Sequence, residues 1–251
     1  MSPLRSVSDQ LAIHARTPAL VVSDPRGLAV RTLGYYRREA GTPAEPRVSA
    51  QWHDHAGRPV AQWDPRQFAH FQSGVSETPN QATVFSFSGT PLLQRNADSG
   101  WKAMLLDAQG SNRESWDSKG IHTTLHYDQH ARLVSVAKRD AEGRQRITQR
   151  VDYAPVDSEH AARNLCGTSY RHDDDAGSRI AHGFDINGEA ISYTQHFLSA
   201  EVPPDWPALL VERDALLEPG PGYRTAYTHD ATGMLVTHKD ALGNAQHFGH
   251  D

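Results

Sequence analysis

Apolar and polar residues alternate along much of the chain. In "TVFSFSG", Phe85 and Phe87 fall on one side and Ser86 and Ser88 on the other; Ile191, Tyr193 and Phe197 alternate with Ser192, Thr194 and His196. A period of two sets one face of a strand against a core and the other toward solvent, and aromatic and β-branched residues suit such a half-buried pleat. The runs are short and bounded by turn signals, so the expected elements are strands joined in antiparallel hairpins.

The punctuation is Asp-x-x-Gly. It occurs at Asp24–Gly27, Asp54–Gly57, Asp107–Gly110, Asp117–Gly120, Asp140–Gly143, Asp174–Gly177, Asp185–Gly188, Asp230–Gly233 and Asp240–Gly243. The Asp side chain accepts hydrogen bonds from backbone N–H groups ahead of it, and Gly at the fourth position takes the positive φ that returns the chain into the next strand. Looser versions fall in register at Asp64–Gln67, Ser86–Gly89, Asp128–Ala131 and Asn164–Gly167. Steps of ten to twelve residues between such turns imply an all-β repeat array, and these eighteen Asp and Gly residues are its expected structural positions.

Two stretches break the rhythm. In "PPDWPALLVERDALLEPGPG", Trp206, Leu209, Leu210, Arg213 and Leu217 recur at three- and four-residue steps. With Asp205 as N-cap and Pro219-Gly220 as a stop, this predicts a short amphipathic helix over 205–217, packed on the sheet. "REAGTPAEPRVS" from Arg38 reads as a Pro/Gly loop between the first two turn units. The organisation is an amino-terminal arm over 1–20 and a β-repeat segment over 21–251, with an insertion at 198–222.

Composition sharpens this. Of 251 residues 37% are hydrophobic, with 19 Gly and 15 Pro spread along the turns, and the mean hydropathy is −0.63. That fits an ordered, thin-cored repeat. A net charge of −5 without a Lys/Arg cluster argues against nucleic acid and anionic membrane surfaces as partners. No stretch has the apolar length of a membrane span, and the amino terminus lacks the apolar segment of a Sec signal peptide.

Candidate chemistry is sparse. Cys166 is the sole cysteine, so no internal disulfide is expected, and it has no positioned histidine partner. "HDDDAG", His172 to Gly177, lacks the alternating ligands and distal Glu of a calcium loop, and Asp174 already serves a turn. His122, His126 and His130 would line up on a helix, but here they straddle strand, turn and strand. There is no P-loop, Gly-x-Ser-x-Gly or His-Glu-x-x-His. Neither catalytic nor metal-binding residues nor a cofactor are expected, and a hydrolase built on paired aspartates finds no spacing to support it.

Recurring units such as "YTHDATGMLVTHKDALGN", "QWHDHAGRPVAQWDPR" and "LHYDQHARLVSVAKRDAEGR" resemble the YD repeats of the Rhs family. The run from "TPALVVSDPRGLAVRTLGYYRREAGTP" to "QWDPRQF" resembles the start of the C component of tripartite bacterial insecticidal toxin complexes. The likeness continues in order through "ADSGWKAMLLDAQGSNRESWDSKG", "EHAARNLCGTSYRHDDDAG" and "PDWP". It implies a curved, spiralling sheet of YD-repeat hairpins, part of a hollow shell that encloses a cytotoxic carboxy-terminal effector. The implied partners are a B-type shell component, through it a pore-forming A component, and the remainder of the chain's own shell. The implied setting is a secreted or released toxin component, made in the cytoplasm without a Sec signal. No segment matches the family's self-cleaving aspartyl protease or its effector, so the expectation is a structural, non-enzymatic role.

"HFGHD" stops at Asp251, eleven residues after Asp240, where the next turn aspartate falls; this reads as a fragment or a short relative of a longer shell protein. The competing reading is a carbohydrate- or cell-surface-binding β module, motivated by Trp63, Trp101 and Trp116 taken as exposed.

Overall fold

The computed structural model describes residues 13–249, so residues 1–12 of the expected amino-terminal arm, and Asp251 with its expected turn, lie outside the described residues. The fold is all-β, with seventeen strands among the described residues and three short helices. Its contacts divide it into two compact units, one of residues up to Leu105 together with Trp116–Ser118, the other of Leu106–Ser115 and Lys119 onward.

The first unit holds β1 (Leu20–Ser23), β2 (Ala29–Tyr36), β3 (Glu45–His53), β4 (Pro59–Trp63), β5 (Gln81–Phe85), β6 (Pro91–Asn96) and β7 (Gly100–Leu106). Each strand pairs antiparallel with the next. The Pro/Gly loop after Arg38 is shorter than expected: Glu45 to Ser49 already belong to β3, and Tyr36 pairs with Glu45. Phe87 does not continue β5 beside Phe85. It occupies the Ser86–Gly89 turn, fully exposed.

Asp64 begins a helix instead of a hairpin turn. Its Oδ1 accepts the Gln67 N–H at 2.7 Å, and α1 (Pro65–Gln72) follows with Pro at its start. An N-cap Asp before Pro is a helix-start signal, since Pro lacks only an N–H the first turn leaves unbonded. Phe68 of α1 is buried with Ala50 and Trp63, and Phe71, Val48 and Ala61 pack around them. Trp63 lies 4.6 Å from Trp52 and 5.5 Å from Phe71, ring centre to ring centre.

Register and alternation divide this sheet by polarity. Leu33, Val48, Ala50, Ala61, Trp63, Ala82, Leu93 and Ala103 share one face. Gln51, Gln62, Gln81 and Asn96 stand directly opposite one another on the other face. The exposed residues Leu20, Val22, Trp52, Val84 and Trp101 all belong to the apolar face.

Strand β8 (Asn112–Asp117) is divided between the units. The second unit continues as β9 (His122–Tyr127), β10 (Leu133–Arg139), β11 (Gln145–Tyr153), β12 (Ser169–Asp174), β13 (Gly177–Phe184), β14 (Ala190–Phe197), β15 (Tyr223–His229), β16 (Leu235–Lys239) and β17 (Ala245–His247). These also form a meander of antiparallel neighbours. Between β11 and β12, α2 (Ser158–Ala161) is capped by Asp157. The loop after it is not an Asn-initiated turn: Asn164 has φ +55°, its Nδ2 donates to Phe184 O, and Gly167 N–H goes to Ala154 O.

The interior of this unit is polar. Its most buried side chains are Trp206, Thr148, Asp173 and Ser178. On β14 the expected polarity is inverted. Ser192 and Thr194 are buried, while Ile191 and Phe197 are 40% and 45% exposed. The buried hydroxyls have partners, Arg224 for Ser192 and His182 for Thr194, which offsets their desolvation.

The helix expected over 205–217 is confined to α3 (Leu210–Asp214), with Leu209 at its N-cap position and no side-chain cap. The stretch before it is irregular. Asp205 caps no helix: its Oδ1 accepts the Ile147 N–H, and Trp206 N–H donates to Ile147 O. Pro207 cannot donate to such a ladder, which favours irregular backbone here. The apolar stripe is the packed face only in part. Of its members Trp206, Arg213 and Leu217 are buried as expected, whereas Leu209 and Leu210, at the start of α3, are exposed.

Candidate functional site

The recurring local device is the turn. At Asp24, Oδ1 accepts the N–H groups of Arg26 and Leu28 at 2.9 and 3.0 Å, while Gly27 N–H donates to Asp24 O. The same bonds recur at Asp107, Asp185, Asp230 and Asp240. Asp54 and Asp140 accept the amides of Arg58 and Arg144 in the same way. Gly27, Gly57, Gly110, Gly120, Gly143, Gly188, Gly233 and Gly243 all have φ between +79° and +89°. A side chain in this left-handed region costs roughly 1–2 kcal/mol. Asp128–Ala131 makes the identical turn with Ala131 at φ +58°.

Asp174–Gly177 departs from the pattern. Asp174 and Gly177 are themselves paired, leaving only Asp175 and Ala176 in the loop, and Gly177 has φ +124°.

A charged residue after the glycine adds a second layer. Arg58 donates from Nε to Asp54 Oδ2 at 2.7 Å and from Nη1 to Ser86 O of the next turn at 2.7 Å, and stacks over Phe85. Arg26 likewise grips Asp24 and reaches Asp54 O at 2.8 Å. In the second unit Arg132 holds Asp128, bonds Gly167 O and lies 4.2 Å from the Tyr153 ring centre. These arginines staple one turn to its neighbour. Their place directly after the glycine, or two residues after the Asp in Arg26, was the available sequence signal.

At several turns these bonds favour the ionised carboxyl. The Arg132 amide, then its guanidinium and the His130 amide, bring Asp128 down from 3.8 to about 2 against a desolvation that pulls the other way. Asp54 is lowered first by the Arg58 amide, and Asp240 first by the Asn244 side chain. A depressed carboxyl contributes stability above its ordinary value and loses it as pH falls through the folded one. The β9–β10 hairpin is therefore expected to stay closed at pH 4 and to open as pH approaches 2. Amide exchange of His130 and Arg132 across that range reads it directly; opening already at pH 5 refutes the assignment.

A second constellation was not seen in sequence. Arg171 Nε donates to Asp173 at 2.8 Å and its Nη1 to Asp214 at 2.7 Å. Arg213 pairs with Asp173 and, at 2.8 Å, with Asp152, and Ser178 Oγ donates to Asp173. Asp173 is fully buried and both guanidiniums nearly so. This network ties the 198–222 insertion, through α3, to β11, β12 and β13. It has the composition of a structural clamp. Among the described residues no group of three or more His, Cys, Asp or Glu side chains is placed to hold a metal ion.

The remaining candidates scatter. His122 pairs with Glu114 at 2.7 Å and Cys166 Sγ lies 3.5 Å from Asp157 O. Trp63 is 3% exposed, so it offers no binding platform; Trp116 is half-buried and Trp101 is 41% exposed.

No protein-family model matches the chain. Toxin subunit YenC1 of Yersinia entomophaga is 30% identical over 247 residues, covering 96% of this chain and 25% of YenC1. The chain is homologous to toxin-complex C components. The same organism's toxin subunit YenC2 is 25% identical over 262 residues, covering 96% of the chain and 26% of YenC2. The crystal structure of TcdB2–TccC3 superposes with a TM-score of 0.87 at 28% identity, over 96% of this chain and 12% of that one. The Photorhabdus luminescens Tc holotoxin pore gives the same TM-score and identity over 96% and 11%. This C-component homologue thus spans about a quarter of the length of the curated relatives it matches. Among its described residues no helix is long and apolar enough to cross a membrane.

Proposed function

We propose that this chain is a structural, non-enzymatic part of a toxin-encapsulating shell, which with a B-type component encloses a cytotoxic effector and delivers it through a pore-forming A component. The observation that carries this reading is the apolar face of the first unit, which α1 covers only in part. Leu20, Val22, Trp52, Val84 and Trp101 share it, each between 41% and 54% exposed. Apolar side chains left exposed on one face of a sheet favour burial against a partner. A wall that shields a cargo needs such a face, and the turns, staples and buried clamp are the means of holding it in shape. The TcdB2–TccC3 assembly supports a two-component arrangement.

The test is sizing and limited proteolysis of the chain alone and after co-expression with a B-type component. The chain alone is expected to self-associate or be cut rapidly, and the co-expressed chain to co-elute and resist. A monomeric, protease-resistant chain that ignores the partner overturns the reading.

A further inference from the structure

The Asp185 turn has no arginine staple. Where Gly27, Gly57, Ala131 and Gly143 are associated with Arg26, Arg58, Arg132 and Arg144, whose guanidiniums hold the turn carboxylate at 2.7–2.8 Å, Gly188 is followed by Glu189. Asp185 still uses Oδ1 for the amides of Asn187 and Glu189, both at 2.9 Å. Its Oδ2 faces Nδ1 of His229 instead, at 3.1 Å. His229 ends β15, directly before the Asp230 turn, so this contact joins two successive turns as Arg26 and Arg58 do in the first unit. The Asn187 side chain also lies where a Cβ on Gly233 would sit.

The pair is more secluded than the arginine staples. The His229 and Asp185 side chains are 10% and 18% exposed, against 29% and 22% for Arg58 and Asp54. Neither Nδ1 nor Oδ2 makes an aligned hydrogen bond as placed. The two atoms are within ion-pair distance, but the bond between them depends on where the imidazole proton sits. The groups around His229 are the Asp185 carboxylate across the turn, the adjoining Asp230, Tyr227 on its own strand with rings 6.5 Å apart, and His238 of β16 stacked on Tyr227 at 5.1 Å. Asp185 is the charged group in direct contact.

We propose that His229 is a pH-dependent staple: protonated, it locks the Asp185 turn to the Asp230 turn as an ion pair, and neutral, it holds that link more weakly, while the arginine staples elsewhere stay fixed. Arginine keeps its charge at every physiological pH, whereas imidazole is the side chain whose charge ordinarily changes between about pH 5 and 8. Protonation places a full positive charge against the Asp185 carboxylate in a secluded site, where an opposite charge at this distance is screened less than at the surface. The sign follows: the link is strongest at mildly acidic pH and weakens as pH rises. That is opposite in sign to Asp128, whose contribution fades as pH falls toward about 2. A shell segment with such a joint holds these two turns together more firmly in an acidified compartment than at neutral pH.

The experiment is native-state amide exchange of the full chain at pH 5.5 and 8.0, corrected for intrinsic exchange, read at Asn187, Glu189, Thr232 and Met234. In the unaltered chain, opening of these amides is expected to increase about 5-fold or more between the two pH values. The amides of Arg26, Leu28 and Arg58 should stay within about 2-fold. In His229→Gln, the first group should be open and flat with pH. A two-dimensional imidazole spectrum of the unaltered chain supplies a second reading, in which the His229 titration shifts when Asp185→Asn is introduced. Exchange at the Asp185 turn that is independent of pH in the unaltered chain, or a dependence that survives His229→Gln, overturns the proposal.

Discussion

Asp173→Ala is expected to destabilise the protein by about 3–5 kcal/mol, the scale for removing one partner of a buried ion pair. Asp173 is fully buried and takes donors from Arg171, Arg213 and Ser178. Deleting its carboxylate leaves two guanidiniums in a secluded site. Asp214, 59% exposed, and Asp152, 28% exposed, are left to balance them from the rim. The desolvation cost of the arginines is then uncompensated, and α3 loses its main tie to β12. Urea unfolding followed by circular dichroism measures it. Asp175→Ala is the control: its pair with Arg146 is half-exposed, and its loss should cost at most about 1 kcal/mol. Equal effects from the two substitutions refute the clamp.

Gly177→Ala should be nearly as severe, at about 3 kcal/mol or more, because strain and steric overlap combine there. A Cβ on Gly177 would fall 2.0 Å from the His196 carbonyl oxygen and 3.0 Å from the Phe197 Cα, both backbone atoms, at φ +124°. Backbone in the β13–β14 pair cannot withdraw without surrendering the Gly177–Phe197 pairing. Gly110→Ala meets nothing within 4 Å and carries only the penalty of its φ of +84°, about 1 kcal/mol. Thermal melts of the two variants should therefore separate clearly. Coincident melts refute the steric account.

The contrast shows what was legible in the sequence. Asp-x-x-Gly encodes a turn through bonds made within five residues, so spacing alone located most hairpins. Asp64 was misread because the same aspartate chemistry caps a helix, and only Pro65 and the following "RQFAHF" distinguish the two. The helix over 205–217 was overextended because three- and four-residue periodicity was taken as burial. Trp206 is instead buried from irregular backbone, and the stripe's one charge, Arg213, is its deepest helical member. That charge in an apolar register was the visible trace of the clamp, but its partners lie 40 and 61 residues away. Likewise, the burial of Ser192 and Thr194 depends on Arg224 and His182, which no alternation pattern brings together.

The arginine staples have a consequence for how such a chain changes over generations. Arg26 and Arg58 grip the next turn by its backbone oxygen, and that turn begins with Asp54 in one case and Ser86 in the other. Every residue type carries that oxygen, so neighbour recognition places no demand on the neighbour's side chain. Each repeat must keep its own internal grammar yet is free to diverge from the ones it touches. Mutations can accumulate unit by unit without compensating changes next door, and repeats can grow unalike while their joints continue to fit.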